Sequence, residues 1–169
     1  MLRWAFLIVV IVGVIGIARV LLFAAASSPG EEWMRWTPSV DLATLADGET
    51  RRMEWNGRPW FLRAVGPDER AAAGAADPAT LRQSESVESR LLRVEIGLAT
   101  RWFAALAGRT AEGCEVREAR GGWNDTCGGG YDVTGRALKE SVAKENLARP
   151  DYVVRRGVFH LHPDQMGEG

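Results

Sequence analysis

The residues able to do chemistry are few and lie late in the chain. Cys114 and Cys127 are the only cysteines, and His160 and His162 the only histidines, among 169 residues. Around the second cysteine runs Gly121-Gly122-Trp123-Asn124-Asp125-Thr126-Cys127-Gly128-Gly129-Gly130-Tyr131-Asp132-Val133-Thr134-Gly135-Arg136. That outline suits a loop cradling a cofactor, because glycines at this density take positive φ and let backbone approach a group closely. Its donors are sparse, however, with one cysteine and no histidine. His160 and His162 flank Leu161, so a strand would put both rings on one face. Such a pair could supply part of a zinc or copper site, but structural zinc wants four N or S ligands, and a solvent-facing pair is the simpler reading. Neither histidine accompanies a glycine-elbow serine. Asp125 and Asp132 read as turn-capping aspartates rather than an acid/base pair. No P-loop or dinucleotide fingerprint occurs.

These residues must be positioned by a chain that supports one modest domain plus an appendage. The net charge is −1 and 25% of residues are charged, which gives no basic bias toward nucleic acid. Residues 4–18 are uninterrupted apolar sequence, and after Arg19 the run resumes to residue 26. About 20 helical residues cross a bilayer core, so 1–26 is expected to be a transmembrane anchor. The competing reading is a signal peptide cleaved near Ala24-Ala25-Ala26-Ser27. Arg3 precedes the span and Glu31 and Glu32 follow it, which puts the N-terminus in the cytoplasm and the remaining chain in the periplasm, on the inner membrane. In that oxidising compartment Cys114 and Cys127 can pair, the alternative being two free thiols. Arg19 either snorkels to the lipid surface or meets a neighbouring membrane subunit. Gly13 and Gly16 form a small-residue notch for helix packing.

Residues 27–39 are punctuated by Ser, Pro and Gly and read as a neck, with Trp33 and Trp36 as candidate interaction residues that pin the head. Residues 40–169 read as mostly antiparallel β with one short helix. Asn56-Gly57 between Arg51–Trp55 and Arg58–Arg63 marks a type I′ hairpin. Pro67 opens a short helix to about residue 76, and 77–89 looks like polar loop. Leu92, Val94, Ile96 and Leu98 alternate as a half-buried strand. Residues 152–154 and 158–161 close the chain as a second hairpin around Arg155-Arg156-Gly157.

Taken in order, these features resemble the Rieske iron–sulfur subunits of cytochrome bc complexes, which carry an anchor, a neck and a small β domain holding a two-iron cluster. Leu45-Ala46-Asp47-Gly48 is similar to the family's "L-x-E-G" turn. Glu54-Trp55-Asn56-Gly57-Arg58-Pro59 is similar to its "W-R-G-K-P" hairpin. Pro67-Asp68-Glu69 and Leu81-Arg82-Gln83 are similar to "P-E-E-I" and "L-R-D-P-Q". Gly121-Gly122-Trp123 and Tyr131-Asp132-x-x-Gly135-Arg136 bracket the second cluster box, and Glu145-Asn146-Leu147-x-x-Pro150 matches the segment beyond it.

The resemblance implies Cys-x-His in a first loop and Cys-x-Cys-His in a second, with the second cysteine of each box in a disulfide. In the second box Asp125 then stands at the ligand cysteine, Cys127 at the disulfide cysteine and Gly128 at the ligand histidine. The first box has two registers. One runs through Ile96-Gly97-Leu98-Ala99-Thr100-Arg101 and puts Ala99 and Arg101 at the ligand positions. The other runs through Arg109-Thr110-Ala111-Glu112-Gly113-Cys114 and puts Arg109 and Ala111 there. Neither supplies a ligand, and residues 140–144 offer no counterpart of the family's "G-P-A-P" cover. The expectation is a disulfide between Cys114 and Cys127, no cofactor and no enzymatic activity. The chain would be a redox-inactive accessory subunit of a respiratory or photosynthetic complex, packed in lipid against cytochrome b, a true Rieske subunit or oxidase subunits. Tyr131 joins Arg19, Trp33 and Trp36 as an interaction candidate. The alternatives are an assembly factor or periplasmic interaction module and, less favoured, a redox protein with another cofactor.

Overall fold

The structure, a computed structural model, describes residues 32–163. The anchor expected over 1–26, with Arg19, lies outside the described residues. Among the described residues no helix is long and apolar enough to cross a membrane. Contacts divide the chain into two units, Met1–Trp36 and Thr37–Gly169. The described part of the first is a 3-10 turn over Glu32–Arg35, followed by Trp36, whose side chain is exposed.

The second unit is built from three antiparallel sheets. The central one has the order β2-β3-β5-β4, comprising β2 (Thr50–Trp55), β3 (Arg58–Val65), β4 (Leu92–Ile96) and β5 (Ala99–Ala107). A second sheet runs β1-β10-β9, from β1 (Ser39–Asp41), β9 (Tyr152–Arg155) and β10 (Val158–Leu161). A third is the meander β6 (Val116–Ala119), β7 (Gly122–Asp125) and β8 (Gly130–Asp132). Both anticipated hairpins form. Asn56 and Gly57 have φ of 52° and 70°, and Arg156 and Gly157 have φ of 51° and 79°. These are the paired left-handed positions that a two-residue turn needs to match strand twist.

Strand alternation places the central sheet between two cores. Trp60, Leu62 and Ala64 of β3 and Phe103, Ala105 and Ala107 of β5 pack with Val40, Leu42, Phe159 and Leu161. The intervening Val65, Ala104 and Leu106 pack instead with Val116, Trp123, Tyr131, Val133 and Leu147, while Phe61 lies partly buried against the same cluster. Residues such as Phe103, Leu106 and Phe159 are wholly withdrawn from solvent, each contributing roughly 1.5–3 kcal/mol of transfer free energy.

The expected strand through Leu98 ends at Ile96. Gly97 turns with φ of 63°, Leu98 stands fully exposed at the tip, and β5 returns. Strand β5 has no alternating signature because both of its faces are covered, so Trp102–Ala107 reads as a continuous apolar run. A helix forms over Pro67–Ala75 (α1), with Glu69 Oε2 accepting from the Gly66 N–H at 3.2 Å. The stretch read as polar loop also holds a four-residue helix, Val87–Arg90 (α2), capped where the Ser89 N–H donates to Ser86 Oγ at 3.1 Å. Arg63 ties the layers together. Its Nη2 lies 2.6 Å from Glu69 Oε1 of α1, and its Nη1 donates to Thr50 Oγ1 at 2.9 Å and to Glu118 of β6.

Candidate functional site

Two loops meet at one end of the small meander. The first, residues 108–115, leaves β5 and enters β6; the second, 126–129, joins β7 to β8. Trp123 fixes the platform beneath them. It is 1% exposed, its Nε1 donates to the Val133 carbonyl at 3.1 Å, and its ring stacks on Phe61 at 5.1 Å. Beside it a Cβ on Gly122 would fall 2.1 Å from the Tyr131 carbonyl oxygen, so β7 and β8 can approach only with glycine there.

The loops are cross-tied. The Glu115 N–H donates to Thr126 Oγ1 at 3.1 Å and the Thr126 N–H to the Glu115 carbonyl at 3.0 Å. The disulfide Cys114–Cys127 completes the clasp, with Cα atoms 5.9 Å apart. Cys114 is buried and Cys127 exposed.

Asp125 ends β7 inside this clasp. Its Oδ1 accepts from the Cys127 and Gly129 N–H groups, both at 2.8 Å, and its Oδ2 accepts from the Tyr131 hydroxyl at 2.8 Å. Burial alone would raise the Asp125 carboxyl, but hydrogen bonds from Gly129, Tyr131, Cys127 and Gly128 outweigh it and hold the group below the usual aspartate range. Burial, and next the bond to Asp125, push the Tyr131 phenol well above its ordinary value. Gly129 must be glycine, because a Cβ there would lie 2.1 Å from Asp125 Oδ2.

The Tyr-Asp-x-x-Gly-Arg signature proves to be a turn locked from inside. Asp132 Oδ1 accepts from the Thr134 and Arg136 N–H groups at 2.9 and 3.0 Å, and Oδ2 meets Arg136 Nε at 2.7 Å. Arg136 continues to the Ala73 carbonyl of α1 at 2.6 Å. Gly135 has φ of 80°, and a Cβ on it would sit 2.6 Å from Leu106 Cδ2. From α2, the buried Arg90 donates to the carbonyls of Thr134, Gly135 and Leu147 at 3.1, 3.3 and 2.7 Å. Nothing in its polar sequence neighbourhood distinguishes Arg90 from a surface arginine. The Glu-Asn-Leu segment docks similarly, with Asn146 Oδ1 accepting from the Ala137 N–H at 2.8 Å and the Leu147 N–H donating to the Gly135 carbonyl at 2.8 Å.

Between the loops and segment 142–148 lies a cavity of about 330 Å³, bordered by Ala111, the disulfide, Asp125 and Tyr131. At its rim Lys144 Nζ is 3.9 Å from Glu112 Oε1. Val142 of the covering segment is exposed.

The structure brings Arg109, Ala111, Asp125 and Gly128 to this loop pair, through Cys114 and Cys127. It does not bring Ala99 or Arg101. Both belong to the β4–β5 hairpin, where Ala99 pairs with Ile96 and Arg101 Nη2 meets Asp47 at 2.8 Å. Of the two first-box registers, the one through Arg109 and Ala111 thus shares a loop with Cys114, and the one through Ala99 and Arg101 lies in the central sheet. Tyr131, expected as an interaction residue, is 5% exposed, and its hydroxyl donates to Asp125. His160 and His162 are half-buried at the end of β10, where His160 pairs with Ser39 and Val153. Among the described residues, the one group of three metal-ligating side chains within 4.8 Å is Cys114, Asp125 and Cys127. Both sulfurs are tied up in the disulfide, leaving a single carboxylate.

No family model matches the chain. Individual relatives do. The mitochondrial Rieske subunit of the cytochrome b-c1 complex from Schizosaccharomyces pombe is 33% identical over 117 residues, 67% of this chain and 48% of that protein. The ubiquinol-cytochrome c reductase iron-sulfur subunit of Rhodospirillum rubrum is 29% identical over 152 residues, 83% of this chain and 79% of its own. That of Rickettsia prowazekii is 35% identical over 118 residues, 68% and 64%. The match spans about half the length of the mitochondrial relatives.

Proposed function

The chain is a homologue of the Rieske iron–sulfur subunits of cytochrome bc1 complexes, and from that kinship we propose that it is a redox-inactive, Rieske-like accessory subunit of a membrane electron-transfer complex. The observation that carries this reading is the donor set. A Rieske cluster is held by two thiolates on one iron and two imidazoles on the other. By the resemblance the corresponding positions hold Asp125, Gly128 and either Arg109 and Ala111 or Ala99 and Arg101, none of them a thiolate or an imidazole, and the chain's two cysteines are bonded to each other. Its two histidines lie on and just beyond β10, a strand of a different sheet. These residues do not fit the cluster, and no electron-transfer step is assigned to it.

The scaffold that would hold such loops is intact, from Trp123 through the disulfide to the Asp132–Arg136 turn. An inner-membrane anchor and a periplasmic head suit a subunit that stabilises or bridges neighbours such as cytochrome b, a cluster-bearing Rieske subunit or an oxidase subunit. The test is purification of the tagged full chain from its native membrane. Iron analysis and paramagnetic resonance on the isolated chain should find no cluster, and the native preparation should contain haem-bearing subunits. Two irons per chain with a reduced Rieske-type signal would make it an electron carrier. Copurification without any haem- or iron-containing partner would remove the accessory-subunit reading.

A further inference from the structure

We propose that the second loop is a small anion-binding nest whose resident anion is the Asp125 carboxylate, so that the loop supplies from its own side chain the negative charge that an external group would otherwise bring. The inference deepens the cluster-free reading above. It rests on the geometry of the donors. Two backbone N–H groups, of Cys127 and Gly129, and the Tyr131 hydroxyl converge on one carboxylate, each at 2.8 Å. Gly128, with φ of 93°, sits between the two amides, and backbone turning through such a conformation presents successive N–H groups as a concavity for an anion.

The fit is close. A Cβ on Gly129 would fall 2.1 Å from Asp125 Oδ2 and 3.0 Å from the Tyr131 hydroxyl oxygen, so nothing larger than glycine allows the amide to reach the carboxylate. The charge is answered chiefly by dipoles, since the groups that hold the carboxyl ionised are backbone amides and a phenol. The nearby charged groups are Glu112, which acts on Tyr131, Lys144 paired with Glu112, and Glu145 on the cavity wall. Without an acceptor at this point all three donors would lose their partner, two of them in part-buried positions. Asp125 occupies the position that the family resemblance aligns with a ligand cysteine, so one monoanion replaces another. Once the Asp125 side chain is cut back, the nest should accept a free carboxylate of the size of formate.

The experiment is amide hydrogen exchange on the full chain, read at Cys127 and Gly129 against Leu62 and Leu106 of the central sheet. Asp125→Ala should speed exchange at the two loop amides by about ten-fold or more, the equivalent of one lost hydrogen bond, and leave the sheet amides unchanged. Added formate should restore the protection, and neutral formamide at the same concentration should not. Unchanged exchange in Asp125→Ala, or equal response to formate and formamide, overturns the proposal. Should Asp125→Ala fail to fold, Asp125→Asn keeps the shape and removes the charge. Its loop amides should exchange several-fold faster and be insensitive to formate, and full protection there overturns the proposal too. Iron analysis of the unaltered chain tests the cluster-free reading separately, so either idea can fail without the other.

Discussion

Removing the clasp between the two loops should destabilise the domain without disturbing its folded form. Cys114 is buried and Cys127 exposed, so the suitable double variant is Cys114→Ala with Cys127→Ser, which leaves no hydroxyl inside. The bridge spans a sequence separation of 13, and the chain-entropy relation for a loop of that size gives about 3 kcal/mol. The native loops retain the reciprocal Glu115–Thr126 bonds and the Asp125 nest, so almost all of that loss should arise in the unfolded chain. Urea unfolding followed by tryptophan fluorescence reads it, because Trp60 and Trp123 are buried when folded. The midpoint should fall by the equivalent of about 3 kcal/mol, and the slope should hold or rise slightly as the unlinked chain exposes more surface. Reducing the unaltered protein with a dithiol should reproduce the shift. A loss below about 1 kcal/mol, or altered tryptophan emission before any urea is added, would refute the reasoning, since the first denies the entropic role and the second places the effect in the native state.

Gly135→Ala should cost about 1–3 kcal/mol, because the new methyl meets Leu106 at 2.6 Å on a backbone at φ of 80°; thermal unfolding checks it. Trp123→Phe keeps the stack on Phe61 but removes the bond to the Val133 carbonyl, for a loss of about 1–3 kcal/mol in the same assay. Stability should also fall at both pH extremes. The Asp125 carboxyl is held below its ordinary value, so its contribution is present above that value and disappears as pH falls through the lowered one, and Asp125→Asn should flatten this acid limb. The Tyr131 phenol is raised, so its contribution is complete below the ordinary tyrosine value of 10.0 and is lost as pH climbs beyond it, a limb that Tyr131→Phe should remove.

The sequence was most legible where local chemistry decides the structure. Asn56-Gly57 and Arg156-Gly157 declare their turns because few other pairs accept two left-handed residues. The glycine-rich run was legible as a scaffold for a different reason: Trp123, Tyr131 and Asp132 sit at spacings that a family pattern preserves. Strand β5 was missed because burial on both faces erases the alternation that marks a strand. Arg63 and Arg90 were missed because the partners that fasten them across the fold, Glu118 and the carbonyls of Thr134, Gly135 and Leu147, come from segments distant in sequence. The same distance hid the difference between the two first-box registers. Ile96–Arg101 continues a strand and Arg109–Cys114 keeps the disulfide cysteine, and their different places, the β4–β5 hairpin and the clasped loop, show only in three dimensions.

The ties that fasten the small meander to the rest of the domain have an evolutionary consequence. Arg63 reaches Glu118, Arg136 reaches the Ala73 carbonyl, and Arg90 gathers the carbonyls of Thr134, Gly135 and Leu147. None of these fasteners is a residue at which a cluster ligand would stand. Loss of a residue at a ligand position therefore takes none of these fasteners away. A chain with this wiring can change its trade before it changes its shape.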